Sequence, residues 1–250
     1  MIDLVDEVMV ASRRGFVTLP DTRVIERDGW LQLVTPSTKL ASLNQVIYSA
    51  LANDEADAAI AAAVATYREL GLPFRWTVGP DSSPADLGAR LERLGLTAIW
   101  VRGMARPIDG APVASDARVV EIDVRTIDDF TAVMAAGWDD DPVLLDAIHR
   151  CLLAKDRMAL FVGYDDGVPA AGAAYYACAR SAFFMGGVVL SAHRGRGLYR
   201  ALVETRTAHA QRRGLALATT HASESTSAPI LERMGYSTVC RFAMYYEDSR

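Results

Sequence analysis

Four residues, Arg194-Gly195-Arg196-Gly197, set two permanent positive charges beside two residues with no side chain. Arginine carries a planar fork of N–H donors that fits phosphate oxygens, and glycine lets the backbone itself approach an anion. The flanking residues sharpen that chemistry. Phe183 to Leu190 is an apolar run rich in large and β-branched side chains, which reads as a buried strand. Beyond the glycines, Leu198, Ala201, Leu202, Thr205, Ala208 and His209 recur at helical spacing, with Arg and Gln on the opposite face. Strand, glycine turn and helix in succession aim the unpaired N–H groups and positive dipole end of a helix at an anion.

A P-loop requires Gly-Lys-Ser/Thr, whereas Leu198-Tyr199 follows Gly197; the dinucleotide pattern begins at Gly195 and Gly197 but meets Arg200 at its third position. The stretch resembles instead the acetyl-CoA loop of the GNAT acetyltransferase superfamily, Gln/Arg-x-x-Gly-x-Gly/Ala. Arg194 matches the first position and Gly197 the fourth, while Tyr199 departs from the sixth. The resemblance implies that Arg194, Gly195, Arg196, Gly197, Leu198 and Tyr199 hold the cofactor's phosphates. By distance from the loop it also implies that Val188, Val189 and Leu190 bond pantetheine through their backbone. A backbone N–H there would hold the thioester oxygen as charge develops on it.

The chain of 250 residues has room for one large domain or two small ones. Hydrophobic residues make up 51% and charged residues 23%, the balance of a globular rather than a disordered chain. A net charge of −5 argues against nucleic acid as a partner. Cys151, Cys178 and Cys240 are far apart and show no metal-ligand spacing, which suits reduced thiols and predicts no bound metal. Asp3, Asp6 and Glu7 stand where a signal peptide needs positive charge, and no apolar run reaches membrane-spanning length. The expectation is a cytoplasmic protein without membrane contact.

An internal repeat organises the rest. Leu91-Glu92-Arg93-Leu94-Gly95 and the residues to Met104 parallel Leu231-Glu232-Arg233-Met234-Gly235 and the residues to Met244 at a constant offset. Upstream, Gly71 and Gly214 each end a long helix before a strand. Opposite the arginine loop, however, the first half offers Leu51-Ala52-Asn53-Asp54 or Asp54-Glu55-Ala56-Asp57, whose carboxylates would repel a pyrophosphate. The expected organisation is a degenerate GNAT-like lobe over 1–106, a linker at 107–116, and an acetyl-CoA-binding GNAT domain over 117–250. The fold class is α/β (α+β), a mixed central sheet flanked by helices, in two GNAT-like lobes.

Along the second half, Arg118–Val124 reads as a strand, Ile127, Phe130, Val133 and Met134 as a helix, and Asp141-Pro142 as the cap of the next helix. Asp139, Asp140 and Asp141 border the expected acceptor cleft, either attracting a cationic amine or serving as helix cap and solvated charge. Strands follow at Ala159–Tyr164 and Pro169–Ala177, joined by a turn at Asp165-Asp166-Gly167, then at Leu215–Thr220 and Ser237–Tyr246. At the N-terminus, residues 2–13 show roughly helical apolar spacing.

The family's thiolate-protonating tyrosine falls on Leu231 here, and its strand-four carboxylate has no counterpart between Phe183 and Leu190. The candidate catalytic residues are therefore Glu224 and His221, which follow the next strand; Tyr175, Tyr176, Tyr245, His193 and Cys240 are further polar or nucleophilic groups in reach of consideration. The resemblance implies an N-acetyltransferase that uses acetyl-CoA and an amine acceptor, with no metal, and leaves room for a homodimer. A non-catalytic acetyl-CoA-binding protein, or an enzyme of another acyl-CoA, stays open beside it.

Overall fold

A computed structural model of the chain describes residues 3–109, 116 and 118–247; most of the expected linker lies outside the described residues. The first half carries β1 (Arg23–Arg27), β2 (Trp30–Val34), β3 (Gln45–Ser49), α1 (Ala56–Glu69), β4 (Arg75–Val78), α2 (Leu87–Arg93) and β5 (Leu96–Pro107). The second carries β6 (Val119–Glu121), α3 (Ile127–Trp138), α4 (Pro142–Leu153), β7 (Met158–Asp165), β8 (Val168–Ala177), β9 (Ser181–Val189), α5 (Leu198–Arg212), β10 (Leu217–Ser223), α6 (Ser227–Glu232) and β11 (Ser237–Glu247). The repeat is visible in the backbone: Gly95 and Gly235 end α2 and α6 with φ of +90° and +85°.

The chain divides into two compact units, each built from two stretches of the sequence. One holds the stretch through Gly15 together with Ala105–His221; the other holds Phe16–Met104 together with the chain from Ala222 onward. The reason is burial and pairing at both ends. Glu7, Val8 and Met9 are buried in the first unit. The last strand, β11, is antiparallel to β4, with Met244 opposite Thr77 and Tyr245 opposite Trp76.

In the unit of Phe16–Met104, strands run β1-β2-β3-β4-β11-β5, with β3 and β4 parallel. Its core sets two aromatic pairs among aliphatic side chains: Trp30 meets Trp76 edge-on at 5.4 Å, and Tyr67 stacks on Phe74 at 4.6 Å. The Tyr67 hydroxyl, which burial pushes above its ordinary range, donates to Leu33 O at 2.7 Å, so this core leaves that polar tip satisfied.

In the other unit, strands run β10-β9-β8-β7-β6. Only β10 and β9 are parallel; the other pairs are antiparallel. Strand alternation sends Tyr175 and Phe184 toward α5, where they meet His209 and Arg206, and sends Gly172 toward Phe130 and Met134 of α3. Helices thus cover both faces of this sheet. Residues 3–14 do not form the regular helix their spacing predicts: a π turn at Asp6–Val10 passes into a 3₁₀ turn at Ala11–Arg14. No helix among the described residues is long and apolar enough to cross a membrane.

Candidate functional site

The arginine loop forms as its residue types require. After a 3₁₀ turn at Ser191–His193, Gly195 and Gly197 take φ of +79° and +83°, left-handed values that side chains oppose, and Gly197 caps α5. Residues Arg194 to Gly197 are exposed, and the first-turn N–H groups of Leu198, Tyr199 and Arg200 lie beyond them without intrahelical acceptors.

What holds the loop was not legible in its own residues. Asp165, at the end of β7, accepts from His193 Nδ1 at 2.7 Å and from Arg196 Nη1 at 2.6 Å with the same oxygen. The His193 bond, aided by the Arg196 charge, holds this carboxyl below its ordinary range against the opposing effect of burial. Arg118 adds a bond from Nη1 to Arg196 O at 3.1 Å while pairing with Asp116 at 2.8 Å. Arg194 reaches back to Val189 O at 3.2 Å. Asp165 reads in sequence as a hairpin turn residue; only the fold carries it to a loop some thirty residues onward.

Upstream, β9 and β10 pair from Ser181–Leu217 to Phe184–Thr220. The pairing goes no further. On its other side β9 bulges: Ala174 faces Met185 and Gly172 faces Val188, so one residue of β8 opposes Gly186 and Gly187. Gly186 has φ +64°, which this bulge needs. A Cβ on Gly186 would meet Met134 and Trp138, and one on Gly187 would meet the Tyr199 ring at 3.4 Å. Tyr199 therefore lies back against the strand, its phenol pushed up by burial, rather than across the loop.

Arg206 is buried behind the bulge, donating to Ala174 O at 3.0 Å and to Leu202 O at 3.1 Å, with its guanidinium 4.4 Å from the Phe184 ring centre. Of the expected pantetheine contacts, Val188 and Val189 face Gly172 and Ala171 across the ladder. At Leu190 the N–H donates to Ala170 O at 2.9 Å and the carbonyl accepts from His193 N at 2.9 Å, because the strand gives way there to the 3₁₀ turn.

The two catalytic candidates part company. His221 is the first residue of β10 past the last β9 pair, with Nε2 3.0 Å from Val8 O and its ring edge-on to Phe183 at 4.8 Å. Glu224 instead pairs with Arg102 at 3.2 Å and with Arg241, and its N–H donates to Trp100 O. Its charge is committed to two guanidinium groups, a structural arrangement the sequence did not reveal.

Tyr175 is fully buried and bonds His209 Nδ1 at 2.6 Å. Tyr245 lies 3.5 Å from Glu92. Burial pushes the Cys240 thiol up, away from the thiolate a nucleophile needs. Asp141 caps α4 by accepting from Val143 N at 2.8 Å, as its position before Pro142 predicts. Burial, then the neighbouring Asp139 charge, raises Asp140.

No group of residues able to hold a metal occurs among the described residues. A cavity of about 650 Å³ lies between the β1–β2 hairpin and α1, with Trp30, Leu51 and Ala63 in its lining. Glu55 also lines it.

Residues 124–236 match the family model for acetyltransferases of the GNAT family. No curated protein matches the chain. Among solved structures, a GCN5-related N-acetyltransferase from Kribbella flavida shares 16% identity at a TM-score of 0.70, over 97% of this chain and 96% of that one. A functionally unknown conserved protein from Staphylococcus epidermidis shares 13% at 0.71, over 93% and 96%. A tandem GNAT protein from the clavulanic acid biosynthesis pathway shares 15% at 0.63, over 96% and 86%. These identities speak for the fold; the tandem likeness agrees with the internal repeat.

Proposed function

The chain carries a GNAT-family acetyltransferase domain over residues 124–236, and from that premise we propose that it transfers an acetyl group from acetyl-CoA to the amine of a small molecule or peptide. One observation carries the reading. Strands β9 and β10 stop pairing beyond Phe184 and Thr220, and a loop with two left-handed glycines at the start of α5 follows on from the freed end of β9.

In this reading the N–H groups of Gly195 to Tyr199 bind the pyrophosphate, with the charge of Arg194 beside them. The freed end of β9 holds the pantetheine and acetyl groups. A β9 N–H directed at the thioester oxygen stabilises the negative charge that gathers there. His221, at the mouth of the opening, accepts the proton that an ammonium must lose before its nitrogen can attack. The new N–C bond forms as the C–S bond breaks, and the departing sulfur takes the second amine proton through water, because Leu231 is a buried apolar residue where the family places tyrosine. The lobe of Phe16–Met104 has Asp54 and Glu55 where the loop would be, so it binds no second cofactor.

Calorimetric titration of acetyl-CoA and CoA into the wild type and Gly197→Glu tests this. The expected result is one site per chain near micromolar affinity, weakened at least about a hundredfold by the carboxylate. Thiol release on adding amines then separates an enzyme from a non-catalytic acetyl-CoA sensor, the second reading that Leu231 and the ion-paired Glu224 favour. Absence of binding refutes both.

A further inference from the structure

We propose that the N-terminal stretch Asp3–Gly15 is a working part of the transfer site, because it fixes the tautomer and direction of the His221 ring. The inference rests on His221 being the proton acceptor. A carbonyl oxygen has no hydrogen to give, so the 3.0 Å contact between His221 Nε2 and Val8 O places the proton on Nε2. The lone pair then sits on Nδ1, the nitrogen that receives a proton. The edge-on contact with Phe183 opposes rotation of the ring. The carbonyl is itself held, since Ser12 Oγ donates to it at 2.7 Å.

The stretch is docked in one register. Glu7 is only 5% exposed, and its two oxygens accept from Ser181 Oγ at 2.7 Å and from Arg180 Nε at 2.9 Å. A buried carboxylate without partners is costly, so sliding the segment by one residue is strongly opposed. Val8 and Met9 are fully buried beside it. At the other end a Cβ on Gly15 would lie 3.3 Å from Met185 and 3.4 Å from Tyr176. The segment therefore follows β9 from its first residue to the start of the bulge, along the face that carries Phe183 and Met185. Val8 lies inside the π turn, and the change to 3₁₀ winding falls between Val10 and Ala11.

Nitrogen-15 NMR of the histidine side chains, at a pH where His221 is neutral, reads its tautomer with no substrate present. The wild type is expected in the Nε2–H form. Glu7→Ala is expected to give a tautomer mixture and, with an amine that releases thiol, a kcat lower by about tenfold while the KM for acetyl-CoA stays within about twofold. Glu7→Gln still accepts from Ser181 and restores both readouts. An Nδ1–H ring in the wild type overturns the proposal, as does Glu7→Ala with tautomer and kcat unchanged. Should Glu7→Ala fail to fold, Arg180→Ala releases the same anchor from its exposed end and is read in the same two ways. Full kcat in His221→Gln refutes His221 as proton acceptor. Loss of kcat there, with an unmoved tautomer in Glu7→Ala, refutes the present proposal alone.

Discussion

Asp165 binds His193 Nδ1 at 2.7 Å from a different strand, and so the end of β7 carries the loop that follows β9. The same oxygen also takes Arg196 Nη1, which joins the loop's two halves through one carboxylate. Asp165→Asn removes the charge and keeps the shape. It is expected to weaken acetyl-CoA binding by about three- to tenfold without changing the number of sites, by calorimetry. Because the folded carboxyl lies below its ordinary value of 3.8, its contribution is complete above that value and is lost as pH falls below it. The variant should therefore lack this carboxylate's share of the wild type's loss of stability below about pH 4, read by urea unfolding in acid.

Gly137 lies against Val188, so close that a Cβ there would collide with Val188 Cγ1. Gly137→Ala must push α3 away from β9 or displace Val188, next to the bulge. Overpacking of this kind costs about 1–3 kcal/mol. Urea unfolding should show that loss, and acetyl-CoA affinity should fall with it; an unchanged midpoint and affinity would mean α3 does not brace the strand.

His149 is buried between α3 and α4, bonded to Thr131 Oγ1 at 2.9 Å and edge-on to Phe130. Burial depresses it to about 4. The unfolded chain then binds a proton that the folded chain refuses, so stability is full above the ordinary value of 6.5 and declines as pH falls from there toward 4. About 2 kcal/mol should be lost between pH 7 and pH 5 from this residue. His149→Gln should flatten that slope in urea unfolding at the two pH values, whatever its effect at pH 7.

Glu224→Gln should leave kcat within about twofold, because the carboxylate is held by Arg102 and Arg241 rather than offered to a substrate. The loss should appear in stability instead, at about 1 kcal/mol, the scale of a partly exposed ion pair. A kcat lower by a hundredfold with normal stability would restore Glu224 as a catalytic residue.

Local chemistry determined much of this protein in advance. The left-handed glycines of the loop and of the helix ends, the Asp141 cap and the strand up to Val189 all stand where their residue types put them. Each depends on backbone sterics or on hydrogen bonds a few residues long, and a short window of sequence contains every group involved.

Tertiary structure decided the rest. Asp165 meets His193, Tyr199 turns onto Gly187, Val8 orients His221, Glu224 is taken by two arginines, and β11 pairs with β4 rather than with a strand of its own half. None of these pairings has a local signal. Each is settled by which strand edges, apolar faces and buried charges remain to be satisfied once the local elements exist, and that depends on the whole chain at once.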